Sequence, residues 1–448
     1  MAEQRSMDPF LLLCSLILLA AMLTWVIPAG HFERAKDAKT GRTLVVPGSY
    51  RLVPRTPVGP WGALSALPEG MVEAADVIFY VLLAGGAITV VEATGALGNF
   101  LNNTMQRFGG RPLLVLAIAS FLFLIGGASE SMYEEVLAFL PLLRLLMRRM
   151  GMPPVMALGV SVGTASVAAS FSPFNTFLLG VSQPMAELHL FSGFAFRGTV
   201  FVAAIVVWAG YLAWYAKHFA CEPVAEPGAG SGTGWKARDV AVLLILNGGI
   251  ALIVCGGVFW EWGLRQFGAV FFGIAVVAGL TGGLGWRGTS EHFAEGFRRM
   301  IVAAALIGFA RAISVVLANG QVLDTIANAL FNPLRHLPAG WSAVAMFVSQ
   351  SILAAPMPSD SGRAMMSLPV AIPLADLLGV SRQMAVSAYQ YGGLVSNLIT
   401  PSGGTLLAMA AIAGVSFREW LRFMIIPFVL LSALCAAAIF AGVRLGVQ

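Results

Sequence analysis

Long apolar runs, cut at irregular intervals by proline, glycine and small polar residues, make up most of this chain. A bilayer crossing takes about 20 apolar residues in a helix. Nine runs meet that length: Phe10–Pro28, Ala75–Ala96, Pro153–Met185, Phe196–Lys217, Val240–Trp260, Ala269–Trp286, Met300–Ala318, Gln383–Ile412 and Arg422–Val447. Two further apolar segments, Pro112–Arg149 and Gly340–Leu378, are too long for one crossing and too interrupted for two. In the second, the arm Trp341–Ala354 runs straight into "APMPSDSGRAMM" (Ala355–Met366). That arm spans about 14 residues, or about 21 Å as a helix, short of a hydrocarbon core of about 30 Å. Both segments are therefore predicted to be re-entrant hairpins, each entering and leaving on one side of the membrane.

Composition fixes the class. Apolar side chains make up 58% of the 448 residues and charged ones 11%, with a mean hydropathy of +0.82. A soluble domain carries about 25% charged residues, so the chain reads as an all-α polytopic membrane protein whose partner is the lipid bilayer. The first apolar run lacks a convincing cleavage site after it and is expected to stay as a span. The net charge of +5 comes mostly from loop Arg and Lys and gives no reason to expect a nucleic-acid partner. With the N-terminus in the cytoplasm, the larger basic set falls inside, as short loops prefer. Against it stands one outer loop with six basic residues, from Arg34 to Arg55. Cys14, Cys221, Cys255 and Cys435 are scattered, with neither a metal-ligand nor a disulfide spacing. No G-x-x-x-x-G-K-[ST] loop and no HExxH is present, so ATP hydrolysis and zinc hydrolase chemistry have no motif here. No cofactor is expected, and the chain is not read as an enzyme.

The linker-like stretch "CEPVAEPGAGSGTG" (Cys221–Gly234) lies near the middle and prompts a search for a repeat. At a shift of 228 positions, Ser131 meets Ser359, Leu140-Pro141 meets Leu368-Pro369, Gly151 meets Gly379 and Pro173 meets Pro401. Upstream, "LPEGMVEAADVIFYVLLAGG" is echoed by "FAEGFRRMIVAAALIGFARA". An odd number of spans separates the paired segments, which predicts an inverted repeat, a common transporter architecture. The expected division is a first repeat over 1–217, with a cytoplasm-facing hairpin at 112–149 and a broken helix at 153–187. A linker and connecting span fill 218–268. The second repeat, 269–448, carries an outside-facing hairpin at 340–378 and a broken helix at 383–412.

Polar residues gather at matching places in the two halves: "GGASESMYEE" and "SFSPFNTF" in the first, "APMPSDSGRA" and "SNLITPSGGT" in the second. Proline inside a helix frees backbone carbonyls, and nonhelical backbone at membrane depth survives only against protein or a watery cavity. The candidate solute ligands are thus Ser131, Asn175 and Thr176 in the first half. In the second they are Ser359, Asp360, Ser361, Arg363, Asn397, Thr400 and Ser402. Glu134 and Glu135, with Ser129, Ser172 and Ser396, are candidates for a coupling cation or proton, a sodium ion at the tips included. A charge at the bilayer centre costs about 2.5–3.5 kcal/mol on insertion scales, so Glu130, Glu134, Glu135, Asp360 and Arg363 call for a reason. Arg363 has the planar fork that grips a carboxylate; the competing explanation is a local Asp360–Arg363 pair at i, i+3. If Arg363 is the clamp, Arg363→Gln weakens anion binding and leaves the fold intact. Arg311 stands alone in a span and wants an acidic partner.

The motifs "TWVIPAGHFER", "VVPGSY", "EGFRRMIVAAALIGFARAI", "LANGQVLDTIANAL" and "GVSFREW" resemble YfcC-type proteins of the anaerobic C4-dicarboxylate carrier-like group, in the ion-transporter superfamily. The likeness covers nearly the whole chain. It implies an elevator-type carrier, usually a homodimer, whose hairpins and broken helices form a mobile domain. It places solute and sodium sites at Ser131, Asn175, Thr176, Ser359, Asn397 and Thr400, and Glu134–Glu135 matches a Glu-Glu pair of the family's first tip. One departure is plain: where the family's second tip reads SGSGQA, this chain has "SDSGRA". The expected function is secondary active transport of a small carboxylate-bearing solute across the bacterial inner membrane, coupled to Na+ or H+ or by exchange. A C4-dicarboxylate is favoured by Arg363. A basic amino acid of the arginine or ornithine type, favoured by the glutamate-rich first tip, and a short-chain fatty acid are the alternatives. A channel is the competing class.

Overall fold

The computed structural model describes residues 9–36, 43–46, 48–99, 112–220, 236–260 and 262–447. Helix α1 (Pro9–Val26) leads into a loop with two short antiparallel strand pairs. There β1 (Gly30–His31) pairs with β4 (Arg51–Leu52), and β2 (Arg34–Lys36) with β3 (Thr43–Val45). Helices α2 (Pro60–Glu73) and α3 (Ala75–Ala93) follow. Next come α4 (Pro112–Glu130), a 3-10 turn at Glu134–Phe139 and α5 (Leu140–Arg149). The half closes with α6 (Val155–Phe171), α7 (Thr176–Met185) and α8 (Phe194–His218).

After α9 (Ala237–Trp260) and α10 (Leu264–Thr281) comes α11 (Gly285–Asn319), then the short α12 (Leu323–Phe331). A second helix–tip–helix unit is formed by α13 (Ala339–Ala354) and α14 (Asp360–Leu377). Then α15 (Arg382–Leu398), α16 (Gly404–Ala413) and α17 (Phe417–Arg444) complete the chain. Six of the helices are long and apolar enough to cross a membrane, among the described residues: α1, α3, α8, α10, α11 and α17.

The apolar runs Pro153–Met185 and Gln383–Ile412 each contain a break. The first interrupts the helix at 172–175 and the second at 399–403, with Pro173 and Pro401 inside them. A proline N has no hydrogen to give and its ring crowds the preceding turn, so the helix stops there. At 16 residues, α13 is about 24 Å long, below bilayer thickness.

Two elements depart from the sequence pattern. The helix α2 lies in what reads as a loop, started by Pro60 at its first position, where the missing N–H is no loss. And the span expected at Met300–Ala318 is only the apolar end of α11, which has 35 residues, about 52 Å. Its charged start stays helical with help from surface pairs: Arg287–Glu291 at 2.9 Å and Arg298–Glu295 at 3.1 Å, on the i, i+4 and i, i+3 rows.

Helix α11 lies against both α2 and α3 where glycines let backbones touch. A Cβ on Gly70 would stand 2.6 Å from Ala312 N and 2.7 Å from Gly308 O; one on Gly296 would be 2.5 Å from Gly86 Cα. Lipid tails give no hydrophobic drive between helices, so close contact of small residues supplies the association. The strand-bearing loop is pinned to α12. Asp324, 5% exposed, accepts from Phe32 N at 2.9 Å and from Arg34 Nη2 at 2.8 Å, and Tyr50 Oη lies 2.9 Å from Thr325 Oγ1.

Candidate functional site

The first tip, 131–133, is held by the first break. Asn175 starts α7: its Oδ1 accepts from Leu178 N at 2.7 Å and from Ser131 Oγ at 3.0 Å. Its Nδ2 donates to Gly127 O at 3.0 Å, at the end of α4. Ser172 Oγ donates to Ala128 O at 2.6 Å. A Cβ on Gly127 would stand 2.3 Å from Ala165 O, so α4 and α6 are in backbone contact at this point. Ser131 has φ +59°, left-handed backbone that a residue with a Cβ adopts only when surroundings hold it there.

The second tip, 355–359, is tied to the second break by a hydrogen bond from Ser402 Oγ to Ala355 O. Ser359 starts α14, its Oγ accepting from Gly362 N at 3.3 Å and lying 3.4 Å from Ser361 Oγ. Asp360 and Arg363 form an ion pair, Nη2 to Oδ1 at 2.7 Å. The guanidinium is 0% exposed, lies over the Tyr389 ring with Cζ 4.8 Å from the centroid, and Tyr389 Oη donates to Asp360 O at 2.8 Å. Gly393 leaves room for it: a Cβ there would stand 2.9 Å from Arg363 Nη2.

The two units are also joined to each other. Tyr133 Oη, at the first tip, donates to Asn397 O at the end of α15 at 3.0 Å. Gln390 of α15 donates to Ala169 O at 3.1 Å and to Ser172 O at 2.8 Å, at the first break. Behind it, Arg197 of α8 is fully buried and donates to Gln390 and to Gln383 Oε1. Ser314 of α11 donates to Pro356 O in the second tip at 3.2 Å.

A cavity of about 650 Å3 lies where the tips and the second break meet. Its wall holds Ser129, Ser131, Tyr133, Glu134 and Glu135 from the first tip region. The second contributes Ser359, Asp360 and Ser361, with Asn397 and Ser402 from the break. Glu73 of α2 and Arg311 of α11 close one side as an ion pair, Nε to Oε2 at 2.8 Å. Among the described residues, no three His, Cys, Asp or Glu side chains are grouped to hold a metal ion.

The family model described as the C4-dicarboxylate anaerobic carrier matches residues 7–444. The chain belongs to the C4-dicarboxylate anaerobic carrier family. It is 27% identical over 464 residues to YfcC of Escherichia coli K12, named provisionally as a basic amino acid antiporter, covering 93% of this chain and 92% of that one. An uncharacterized protein of Haemophilus influenzae is 24% identical over 471 residues, at 93% and 92% coverage. Among solved structures, the YdaH transporter of Alcanivorax borkumensis is similar at a TM-score of 0.43 and 16% identity, covering 98% of this chain and 99% of that one. MtrF of Neisseria gonorrhoeae, described with a class of antimetabolite efflux pumps, is similar at 0.41 and 15%, covering 99% and 96%. This member of the C4-dicarboxylate carrier family is a membrane transporter.

Within this family member, the cavity gathers Arg311 and nine of the residues read from the sequence as solute or coupling-ion ligands: Ser129, Ser131, Glu134, Glu135, Ser359, Asp360, Ser361, Asn397 and Ser402. It does not gather the others. Asn175 and Ser172 are buried behind Ser131 with their groups engaged by α4, and Thr400 is buried within the second break. The side chains of Glu130, Thr176 and Ser396 lie outside the described ones. Arg363 is placed away from the cavity wall. As the third residue after Asp360 it turns back over α15, and its fork is used by Asp360 and by Gln350 O at 3.4 Å. Pattern reading also passed over Tyr133, Glu73 and the Arg197–Gln390 link. Tyr133 lies inside the quoted tip motif, and Glu73 inside the stretch that echoes the second half, but neither was marked there by a polar cluster at a helix break.

Proposed function

We propose that this family member is a secondary active carrier of a small carboxylate-bearing solute, bound in the cavity between the two tips. The observation that carries the reading is that one cavity collects both tips and a broken helix, and lines them with hydroxyls and charges of both signs. Its volume, about 650 Å3, suits a small organic solute. In this reading Ser131, Ser359, Ser361, Asn397 and Ser402 supply solute ligands, and Glu134 and Glu135, with Ser129, take the coupling Na+ or H+. Arg363 positions Asp360 instead of gripping the solute. The halves are inverted repeats, the hairpins are re-entrant, and the tips and breaks slide as an elevator against α2, α3 and α11. A homodimer in the bacterial inner membrane, with a cytoplasmic N-terminus, completes the proposal.

The family description names C4-dicarboxylates, which supports a dicarboxylate as the solute. A second reading, a basic amino acid, is favoured by the cavity's charge: among the described residues, Glu73, Glu134, Glu135 and Asp360 line it against one cation, Arg311. YfcC carries the corresponding name. Thermal stabilisation of the purified protein by succinate, L-arginine, L-ornithine and butyrate, with and without sodium, decides between them. A ligand that binds the native state raises its stability by mass action, about 2.7 kcal/mol at a hundred times its Kd. Counterflow of the stabilising solute in proteoliposomes is expected; a current without saturable counterflow would make the protein a channel.

The sliding step has its own test. Ser314 on α11 touches the second tip at Pro356 O, so a Ser314→Cys, Pro356→Cys pair on a cysteine-free background joins tip to scaffold. Oxidation is expected to stop exchange and reduction to restore it. Exchange that continues through the oxidised pair rules the elevator out.

A further inference from the structure

Resting on the carrier reading, the charges of the cavity wall define how the solute is oriented. Arg311 projects from α11 on the face that meets the second tip: Ser314, three residues on, touches Pro356 O, and Ile307, four residues back, also lines the cavity. Residues three and four apart share a helix face, so the direction of Arg311 is set by the packing of its neighbours. Its Nε donates to Glu73 Oε2 at 2.8 Å, a single bond on a side chain 38% exposed. A guanidinium has five N–H donors in a planar fork. The four on the Nη atoms have no acceptor among the described residues. That is the edge which takes a carboxylate in two parallel bonds.

Glu134 is the opposite case. It lines the same cavity within electrostatic reach of Arg311, and its carboxylate has no hydrogen-bond donor among the described residues. The cavity thus offers one open cationic fork and one open carboxylate to the same occupant. Arg363 offers neither to this cavity: it is fully buried away from the wall, and its two Nη atoms are engaged by Asp360 and Gln350. Glu73 is 49% exposed, held by one bond and set at the end of α2, so it is free to yield.

We infer that Arg311 is the carboxylate anchor of this cavity, that Glu73 holds its Nε when the carrier is empty, and that Glu134 faces the cationic group of an amphoteric, amino-acid-type solute, which leaves the coupling ion to Glu135 and Ser129. Binding exchanges one ion pair for another: the solute carboxylate takes the open Nη edge, draws the guanidinium off Glu73 and leaves Glu73 to water. An empty carrier therefore keeps no bare guanidinium in an apolar wall, where an unpaired charge is costly.

The experiment measures affinities of the full-length protein for L-arginine, L-ornithine and succinate. Agmatine and putrescine, the decarboxylated forms of the two amino acids, serve as controls. Arg311→Gln is expected to weaken the two amino acids at least tenfold, about 1.4 kcal/mol, and to leave agmatine and putrescine unchanged. Glu73→Gln removes the competitor and is expected to tighten the amino acids several-fold, a gain that misfolding cannot imitate. Glu134→Gln is expected to weaken the amino acids. Amino-acid affinity unchanged in Arg311→Gln, or lowered in Glu73→Gln as for a purely structural pair, overturns the inference and leaves the carrier reading standing. Binding of succinate with no binding of either amino acid overturns the amphoteric assignment alone. Absence of stabilisation and counterflow with every probe in the wild-type protein overturns the carrier reading, and the inference falls with it.

Discussion

Arg363→Gln is expected to destabilise the protein by about 3–5 kcal/mol, the usual cost of removing one partner from a buried ion pair. The side chain is 0% exposed and its charge is answered by Asp360 at 2.7 Å and by the face of Tyr389. Removing it leaves Asp360 without its counter-charge and strips the packing between the start of α14 and α15. Such a loss is a large share of the ~5–15 kcal/mol that holds a typical domain together. The measurement is the melting temperature of the purified variant, beside its affinity for succinate. The double change Asp360→Gly with Arg363→Gln removes both charges and is expected to recover most of the loss, since charge pairs are often replaced at little net cost. It also writes into this chain the SGSGQA tip that the resemblance implies for the family. A single variant that melts like the wild type but binds succinate poorly would put Arg363 back in the solute site.

Asn175→Ala is expected to abolish transport and to lower stability by about 3 kcal/mol. Its amide makes three contacts that no neighbour can replace: to Leu178 N, to Ser131 Oγ and to Gly127 O. Losing a helix N-cap costs about 0.5–2 kcal/mol, and each buried group left unpaired about 1–3 kcal/mol. The consequence for function is geometric. Ser131 keeps its left-handed backbone, φ +59°, only while the tip is held against the break, and the cavity wall from Ser129 to Glu135 follows it. Asn175→Asp keeps both acceptor bonds and loses the donor to Gly127, so its melting temperature is expected between the other two. Counterflow at the wild-type rate in Asn175→Ala would show that the first tip is shaped by something else.

Much of the architecture was open to pattern reading because hydrocarbon allows so few backbone arrangements. Each buried N–H and C=O needs a partner within its own helix, so apolar length marks the helices and proline marks the breaks at 172–175 and 399–403. The polar clusters at the tips and the second break were legible for the same reason, and Ser131, Glu134, Ser359 and Asp360 do meet around one cavity. Other elements were not legible. The short helix α2, interrupted in sequence by Pro60, Gly62, Pro68 and Gly70, is held by packing on α11 through Gly70 and Met71, contacts that no local pattern records. The charged start of α11 hid a helix that outruns the membrane.

The amino-acid sequence by itself determined that the chain is a helical membrane protein, where its helices break, and which polar residues stand at those breaks. These follow from the cost of burying polar groups in lipid, which acts residue by residue along the chain. The tertiary structure alone decided what each charge meets. Arg363, three positions from Asp360, had two directions open to it, and packing of α14 on α15 turned it inward, away from the cavity. Arg311 found Glu73 from 238 positions away, because α2 and α11 touch through glycine. Electrostatic partners are set by distance in space, and that distance exists only once the helices have packed.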